Sequence, residues 1–343
     1  MTKKKVNIGL IGLGHLGRLY ARDLATRIPP ARLAAVADIN ENAVRQVAEE
    51  YDVPKSYVKP LELLDDPDVE AVVVAAATPA HELLVTAAAK RGKAVFCEKP
   101  IALKLAEAFR MKKAIEHAGI FFQMGFMRRF DPGHLAAKQK IEEGLIGEAV
   151  VFKSTSRDPF PPPDEYVNPD VCGGFLIDSG IHDFDSARWL FGEIDTVHAI
   201  GGALVVDVFK RVGDVDNAIV SLKFTNGKLG VIDLSVHATY GYDISTDILG
   251  AKGAIRIGYL RETPILTMTE NNIGHDVVQL FDNRFAEAYV LQLQNFAENV
   301  LNGRRPPVTI DDGIEALRVA LAAEHSLRTG QPVKVSSMSE DVI

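Results

Sequence analysis

Residues 6–38 of the chain read VNIGLIGLGHLGRLYARDLATRIPPARLAAVAD. The apolar run VNIGLI leads into the glycine-rich turn GLGHLG at residues 12–17, and a stretch with apolar residues at helical spacing follows. A second apolar run, RLAAVAD, ends in Asp38, about 20 residues after the last glycine, the distance expected of a ribose-binding acid. Strand, glycine turn, helix and acid-terminated strand in this order predict the first βαβ unit of a dinucleotide-binding sheet.

The glycine turn has the G-x-G-x-x-G spacing that suits a pyrophosphate. Such glycines permit a tight turn, close approach of the backbone to the phosphates and close packing of the helix on the strand. The N-terminus of the following helix attracts the anion. We therefore assign the turn to the cofactor, through Gly12, Gly14, His15, Leu16 and Gly17.

Asp38 indicates which dinucleotide binds. A carboxylate at the end of the second strand accepts hydrogen bonds from the adenosine ribose hydroxyls and repels a 2′-phosphate. The sequence therefore predicts NAD rather than NADP. In the alternative interpretation, Asp38 only ends the strand and caps the helix that begins at Glu41.

The first 124 residues continue the alternation of strands and helices. The runs AVVVAAA, KAVFCEK and IFFQMG are apolar and mostly unbroken, as buried parallel strands are. Helical patterns such as ENAVRQVAEEY, AHELLVTAAAKRG and LAEAFRMKKAIEHAG separate the runs. Alternation of this kind predicts a doubly wound parallel sheet, and we place an NAD-binding domain at residues 1–124.

The pattern changes after Gly125, where longer alternating strands begin. GEAVVFKSTSR, TVHAIGGALVV and STDILGAKGAIRIG are examples, PILTMTE continues the series, and Asn226-Gly227 joins NAIVSLKF to KLGVIDLSVHA as a hairpin. Two helices ending in glycine, AEAYVLQLQNFAENVLNG and DDGIEALRVALAAEHSLRTG, close the chain. We predict a second α/β domain at residues 125–343 with an open, mostly antiparallel sheet.

Composition excludes several classes of protein. The chain has 343 residues, enough for two domains, and a formal net charge of −8, which argues against a nucleic-acid partner. Its two cysteines suit a reducing compartment better than a disulfide scaffold. The first apolar stretch is too short for a membrane span and lacks a signal-peptide cleavage pattern. We expect a soluble, cytoplasmic protein with no membrane partner.

The segment FLIDSGIHDFDSARWL, residues 175–190, carries an acid and a histidine at helical spacing. If it forms one helix, Asp178 and His182 lie on one face, one turn apart. Alone, such a pair is most simply structural. A metal site is the other alternative, and we predict none, because no second histidine lies at ligand spacing.

A second segment with charged groups, Glu98-Lys99-Pro100, ends the strand KAVFC. Ligands of doubly wound sheets bind beyond the carboxyl ends of the strands, so these residues are expected to face the nicotinamide half of the cofactor. A charged strand end in water is the alternative.

Several motifs in order resemble the glucose–fructose oxidoreductase and inositol dehydrogenase superfamily, nearly from end to end. They are GLIGLGHLG, ATPAH (77–81), CEKP (97–100), GFMRRFDP (125–132), GGFLIDSGIHDFDSARWL (173–190), YGYD (240–243), LGAKG (249–253) and DDGIEAL. Within the superfamily, MRRFDP, SRDPFPPP and IHDFDSAR are most similar to bacterial inositol 2-dehydrogenases.

The resemblance implies a Rossmann domain, a larger domain with an open sheet, and a homo-oligomer, a tetramer or dimer, formed through that sheet. It implies that Lys99, Asp178 and His182 form the catalytic set. It also implies that Thr78, His81 and Glu98 line the nicotinamide side of the cofactor site, together with Lys99.

The implied reaction is NAD-dependent oxidation of a secondary hydroxyl of a cyclic polyol, myo-inositol or a near stereoisomer, to the ketone. Histidine, with a reference pKa of about 6.5, suits the proton transfer, a carboxylate orients it, and an ammonium favours negative charge on the oxygen. The expected polyol ligands, besides the catalytic set, are Arg128, Asp158 and Tyr240, each of which has a structural alternative. Rival hypotheses are another sugar or polyol substrate, and a non-catalytic sugar or dinucleotide sensor.

Overall fold

The computed structural model describes residues 4–340, which form two compact units. The first unit contains the chain up to Met127 and, in addition, Glu287–Leu317. The second contains Arg128–Ala286 and Arg318–Ser339. This division differs from a single cut near residue 124, because a C-terminal segment completes the first unit.

The first unit is built on a six-stranded parallel sheet in the order β3-β2-β1-β4-β5-β6. The strand order reverses between β1 and β4, and a ligand crevice opens at such a reversal in doubly wound sheets. Buried apolar side chains dominate every strand except the short β3. The strands are β1 Val6–Ile11, β2 Ala31–Ala37, β3 Lys55–Tyr57, β4 Ala71–Val74, β5 Ala94–Glu98 and β6 Phe122–Gly125.

Five helices connect these strands: α1 His15–Thr26, α2 Glu41–Glu50, α3 Pro60–Asp65, α4 His81–Lys90 and α5 Leu105–Ala118. Local sequence explains their ends. The Asn40 side chain accepts hydrogen bonds from the backbone at the start of α2, and Gly119, with φ +62°, follows the last residue of α5. The sequence did not predict β3 and α3.

The segment that returns to the first unit is most of α12, Ala286–Asn302. The Phe296 ring meets Phe96 of β5 edge-on, with 5.8 Å between centroids, and lies 5.7 Å from Phe121. These aromatic contacts give α12 a place in the core of the first unit. Helix α13, Ile310–Thr329, contributes its residues up to Leu317 to the first unit and the remainder to the second.

The second unit is built on a seven-stranded sheet in the order β12-β11-β7-β10-β9-β8-β15. Only the β7–β10 pair is parallel among the pairs described, so the prediction of a mostly antiparallel sheet is confirmed. Asn226-Gly227 turns β9 into β10 as predicted, with Gly227 at φ +83°. The strands are β7 Ala149–Arg157, β8 Ile194–Gly202, β9 Asn217–Phe224, β10 Leu229–Ser235, β11 Asp243–Gly250, β12 Gly253–Ile257 and β15 Val333–Lys334.

The two faces of this sheet differ. On β9, Val220, Leu222 and Phe224 are buried, whereas Ile219 and Lys223 are exposed. The remaining helices of the unit are α6 Pro132–Glu142, α7 Pro169–Cys172, α8 Phe175–Asp178, α9 Ile181–Phe191, α10 Asp207–Val212 and α11 Phe281–Arg284. Helix α9 covers the buried face, since the Phe191 ring lies 5.5 Å from Phe152 and 5.4 Å from Phe224.

Two sequence predictions differ from the structure in this unit. The segment 175–190 is not one helix: α8 ends at Asp178 and α9 begins at Ile181. The break falls at Gly180, where a side chain is excluded because a Cβ would lie 2.6 Å from the Leu176 carbonyl oxygen. PILTMTE does not extend the main sheet either; its strand β13 Thr267–Met268 pairs only with β14 Ile273–Gly274, in a separate ribbon.

Across residues 4–340, no helix combines the length and the apolar composition that crossing a membrane requires.

Candidate active site

The glycine turn after β1 has the geometry that its motif predicts. Gly12 has φ +96°, and a Cβ there would lie 2.5 Å from the backbone of Ala75. A Cβ at Gly17 would lie 1.9 Å from the Gly12 carbonyl oxygen. Both positions therefore require glycine. At Gly14 no atom lies within 4 Å of the Cβ position, so this side of the turn is open to a ligand.

Helix α1 begins at His15 without a side-chain hydrogen bond from the Gly14 N-cap and with no acid in its first turn. A helix N-terminus of this kind presents backbone N–H groups and a positive dipole end to an anion. The open Gly14 and the uncapped helix end together fit the pyrophosphate of a dinucleotide.

Asp38 is held close to the glycine turn. Its Oδ2 accepts a 2.6 Å hydrogen bond from the Leu13 backbone N–H, and Oδ1 accepts one of 2.8 Å from Asn40. The side chain is half-buried. A carboxylate has about four lone-pair sites, so acceptor capacity remains for ribose hydroxyls.

Glu98, the last residue of β5, points into the core and is 6% exposed. The Tyr20 hydroxyl donates to its Oε1, and the Lys99 backbone N–H donates to Oε2 at 3.1 Å. Burial raises the pKa of Glu98 to about 7; the Tyr20 hydrogen bond and the Lys99 charge oppose the shift. The side chain of Lys99 itself is half-buried.

His81, the first residue of α4, lies against the peptide that follows Lys99. Its Nδ1 is 2.9 Å from the Pro100 carbonyl oxygen and its Nε2 is 3.0 Å from that of Ala76. The ring is buried, and burial lowers its pKa. Thr78 is half-buried in the turn before α4. The Lys99-Pro100 peptide is cis.

In the second unit, Asp178 ends α8 and His182 lies in the first turn of α9, both half-buried. The residue after His182 is anchored in the core. Asp183 Oδ1 accepts hydrogen bonds from Arg128 at 2.6 Å and from Ser154 at 2.5 Å. Arg128 also donates to the Ser156 hydroxyl at 3.0 Å.

The second acid of the IHDFD motif is anchored in the same way. Arg129 makes a two-pronged contact with Asp185, at 3.0 and 2.6 Å, and lies over the Trp189 ring. The MRRF and IHDFD motifs are thus partners: each arginine of the first binds one aspartate of the second. The Arg128 side chain is buried, so its contact with Asp183 is the structural role that stands as the alternative to polyol binding.

The other two expected polyol ligands lie at the ends of strands in the second unit. The Asp158 backbone bonds to Ser235 and Ala238, at 2.8 Å in each case. The Tyr240 hydroxyl donates to Asp243 at 2.9 Å and accepts from Arg157 at 3.1 Å. Tyr240 thus takes part in a polar cluster at the end of β7.

Sequence reasoning missed the residues that support the site. Tyr20 lies on the buried face of α1 and Gln292 on α12, and the Gln292 side chain donates to the Tyr20 hydroxyl at 2.7 Å. A tyrosine within an apolar helix face is a usable signal, since its hydroxyl needs a partner when buried. Asp131, which accepts from His134 and Arg284, was missed as well.

Within residues 4–340, no group of three histidine, cysteine, aspartate or glutamate side chains is arranged to hold a metal ion.

Comparison with known proteins agrees with these features. A family model of the GFO/IDH/MocA oxidoreductases, described as an NAD-binding Rossmann fold, matches residues 6–126. A second, described as their C-terminal alpha/beta domain, matches residues 138–335. The chain belongs to this oxidoreductase family. This family member is an NAD-dependent dehydrogenase, and the predicted superfamily, fold class and cofactor are confirmed.

Three relatives of this dehydrogenase are similar along almost their whole length. Myo-inositol 2-dehydrogenase of Thermotoga maritima is 41% identical, over 97% of this chain and 99% of the relative. Scyllo-inositol 2-dehydrogenase (NAD(+)) of Bacillus subtilis is 38% identical, over 96% of each chain. A crystal structure of scyllo-inositol dehydrogenase from Lactobacillus casei with NAD(H) and scyllo-inositol has a TM-score of 0.93 at 30% identity, covering 97% of this chain and 100% of that one.

Proposed function

We propose that the enzyme oxidises a secondary hydroxyl of a cyclic polyol, myo-inositol or a close stereoisomer, to the ketone, with NAD as the hydride acceptor. The observation that carries the proposal is the similarity to a myo-inositol 2-dehydrogenase, 41% identity over 97% of the chain. Scyllo-inositol is the second candidate substrate, because the relative at 38% identity bears its name.

Three residues have the proposed catalytic roles. His182 takes the hydroxyl proton as the general base, and Asp178 orients it or accepts a hydrogen bond from a substrate hydroxyl. Lys99 places its ammonium near the reacting oxygen and stabilises the negative charge that develops there. Bound NAD supplies the acceptor for the hydride. The ion pair of Asp183 with Arg128 supports the proposal for His182, because it fixes the start of α9.

The proposed cofactor contacts follow the motif and the resemblance. The glycine turn and the first turn of α1 take the pyrophosphate, and Asp38 takes the adenosine ribose. Thr78, His81, Glu98 and Lys99 line the nicotinamide side, Glu98 and His81 from buried positions beside the Lys99 backbone. For polyol recognition we propose Asp158 and Tyr240 besides the catalytic set, with Arg128 acting through its contact to Asp183. Directed hydrogen bonds of this kind reject analogues that lack one hydroxyl.

The direct test follows NADH absorbance while the enzyme is incubated with NAD and a panel of substrates: myo-inositol, scyllo-inositol and common aldoses. We expect at least one inositol to be oxidised with a higher kcat/KM than any aldose. An enzyme active only on aldoses, or one that binds NAD without turnover of the panel, would contradict the proposal.

We also propose that the enzyme is a homo-oligomer, associated through the outward face of the seven-stranded sheet. An apolar row crosses this face: Val151 is paired with Leu229 on one side and with Leu249 on the other. Leu229 is 56% exposed and Leu249 51%. Contiguous apolar side chains on an open sheet mark an association surface.

A further inference from the structure

A chain of buried polar groups leads from helix α1 to the residue before Lys99. The Tyr20 hydroxyl donates to Glu98 Oε1, and it accepts a 2.7 Å hydrogen bond from the Gln292 side chain. All three side chains are buried. Buried hydrogen bonds favour one arrangement of the groups that they join, so these two contacts fix the Glu98 carboxyl relative to α1 and α12.

The second oxygen of Glu98 acts on the backbone of Lys99. Oε2 accepts the Lys99 backbone N–H at 3.1 Å. The carboxyl occupies space that exists only because residue 125 is glycine, since a Cβ there would lie 2.8 Å from Oε1. Packing as well as hydrogen bonding therefore holds the carboxyl in this position.

His81 fixes the backbone on the other side of Lys99. Its ring bridges the carbonyl oxygens of Pro100 and Ala76, at 2.9 and 3.0 Å, and it is buried. Burial lowers the pKa of the imidazole, and the contacts with the two carbonyl oxygens oppose that shift, since only the protonated ring can donate to both. Through these contacts the ring joins the Pro100 peptide to the residues that follow β4. The backbone on each side of Lys99 is thus in contact with a buried side chain: Glu98 accepts the Lys99 N–H, and His81 contacts the Pro100 carbonyl oxygen.

We propose that Glu98 and His81 are positioning residues for Lys99: Glu98, held by Tyr20 and Gln292, fixes the backbone before the lysine, and His81 fixes the backbone after it. The inference rests on the catalytic role proposed above for Lys99. The contacts of Glu98 and His81 described above are with protein groups. The inference therefore assigns these two residues to holding Lys99 in place and not to direct contact with the dinucleotide.

The network gives Lys99 a neighbour whose charge changes near neutral pH. Burial raises the pKa of Glu98 to about 7, and the hydrogen bonds from the Tyr20 hydroxyl, the Lys99 N–H and the Gln292 side chain favour the ionised form. Removing the Tyr20 hydroxyl should therefore raise this pKa further. The groups near the carboxyl are Tyr20 of α1, Cys97 of its own strand, Lys99 directly after that strand, and Gln292 of α12.

The test compares Tyr20→Phe, Glu98→Gln and His81→Ala with the wild type in kcat, KM, NAD dissociation constant and the pH profile of kcat. Small displacements of a catalytic group cost up to about 100-fold, so we expect kcat to fall by about tenfold or more in each variant. The NAD dissociation constant should change by less than about threefold. The component of the pH profile that comes from Glu98 should shift upward in Tyr20→Phe and be absent from Glu98→Gln, whereas a component that comes from His182 should remain in both variants.

The chain offers a matched control, because a second Tyr–Glu hydrogen bond lies on the surface. The Tyr51 hydroxyl donates to Glu50 at 2.7 Å, so Tyr51→Phe and Glu50→Gln make the same chemical changes outside the network and should leave every value unchanged. Unaltered kcat and pH profile in Tyr20→Phe and Glu98→Gln would overturn the inference. A tenfold weaker NAD affinity at normal kcat would also overturn it, because it would mean direct contact with the cofactor.

An infrared measurement separates this inference from the proposed function. The difference spectrum between acid and alkaline pH should contain a carboxyl band that titrates near pH 7 and is absent from Glu98→Gln. This readout does not depend on turnover. If the band is present but no polyol is oxidised, the proposed function fails and the buried network stands; if Glu98→Gln leaves the spectrum unchanged, the inference fails, whatever the substrate.

Discussion

Asp38 is the side chain that we expect to discriminate between the two nicotinamide dinucleotides. Hydrogen bonds to a charged group contribute about 1.5–3 kcal/mol, so Asp38→Ser should raise the kcat/KM ratio of NADP to NAD by tenfold or more. Glu49→Ser, an exposed acid of α2, is the control. Steady-state kinetics with both cofactors measure the ratio, and an unchanged ratio would show that Asp38 only ends its strand.

His182 is the proposed base, and its removal should affect chemistry rather than cofactor binding. General base catalysis contributes about 10²–10⁴-fold, so His182→Ala should lower kcat by that factor with little change in NAD affinity. His117→Ala, on the surface of α5, should behave like the wild type. Near-normal turnover of His182→Ala would remove this residue from the mechanism.

Glu98 should make stability depend on pH in an unusual direction. Its pKa is about 7 when folded and about 4.5 without the shift, so between these values the folded chain holds a proton that the unfolded chain has lost. The free energy of unfolding therefore falls by roughly 3 kcal/mol as pH rises through this window, since each pH unit within it contributes about 1.36 kcal/mol. In Glu98→Gln this component is absent. Urea unfolding at pH 5, 6, 7 and 8 measures it, and parallel curves for wild type and variant would contradict the assignment.

At the scale of elements, helix α9 depends on a buried ion pair. Removing one partner of such a pair costs about 3–5 kcal/mol, because the other charge is left buried, so Asp183→Asn and Arg128→Met should each be strongly destabilising. The exposed pair of Arg256 with Asp247 is the control, and Arg256→Met should cost less than about 1 kcal/mol. Denaturant unfolding compares them, and equal effects at the two sites would refute the anchoring role.

Elements with strong local patterns could be predicted from the sequence. The glycine turn, the Asn226-Gly227 hairpin and the final helices were read correctly because neighbouring residues determine them. The three-residue strand β3 is too short for any periodicity. The break at Gly180 was missed because the apolar spacing continues through it.

The candidate site also contains residues that a local pattern identifies and residues that only the complete fold brings together. The glycine turn and Asp38 lie within one βαβ unit, so both could be identified from the motif, and the structure adds the hydrogen bond from the Leu13 N–H to Asp38. The support of Glu98 did not: Tyr20 lies 78 residues before it, and Gln292 lies 272 residues beyond Tyr20. Contacts over such distances depend on the complete fold and leave little local pattern. The pairing of Arg128 with Asp183 is equally non-local and was not anticipated from the sequence, while a role of Arg128 in polyol binding stays a prediction.

At the scale of the whole molecule, the outward sheet face should determine the assembly state. Leu229→Lys places a charge in the apolar row with Val151 and Leu249, and should shift the oligomer towards smaller species. Leu83→Lys, at an exposed leucine of α4, is the control. Light scattering after size-exclusion chromatography measures the mass. A single-chain mass for the wild type, or an unchanged mass for Leu229→Lys, would contradict the proposed interface.

The return of α12 to the first unit has a consequence for how the protein is made. A ribosome delivers the six parallel strands long before it delivers Phe296 and Gln292, the partners of Phe96 and Tyr20. Until then the nascent nucleotide-binding half exposes to water the aromatic ring of Phe96 and the Glu98 carboxyl, which the finished fold buries. Exposed apolar surface of this kind favours aggregation. Expression of residues 1–127 alone should therefore give insoluble material, and supplying the C-terminal helices as a separate peptide should rescue it.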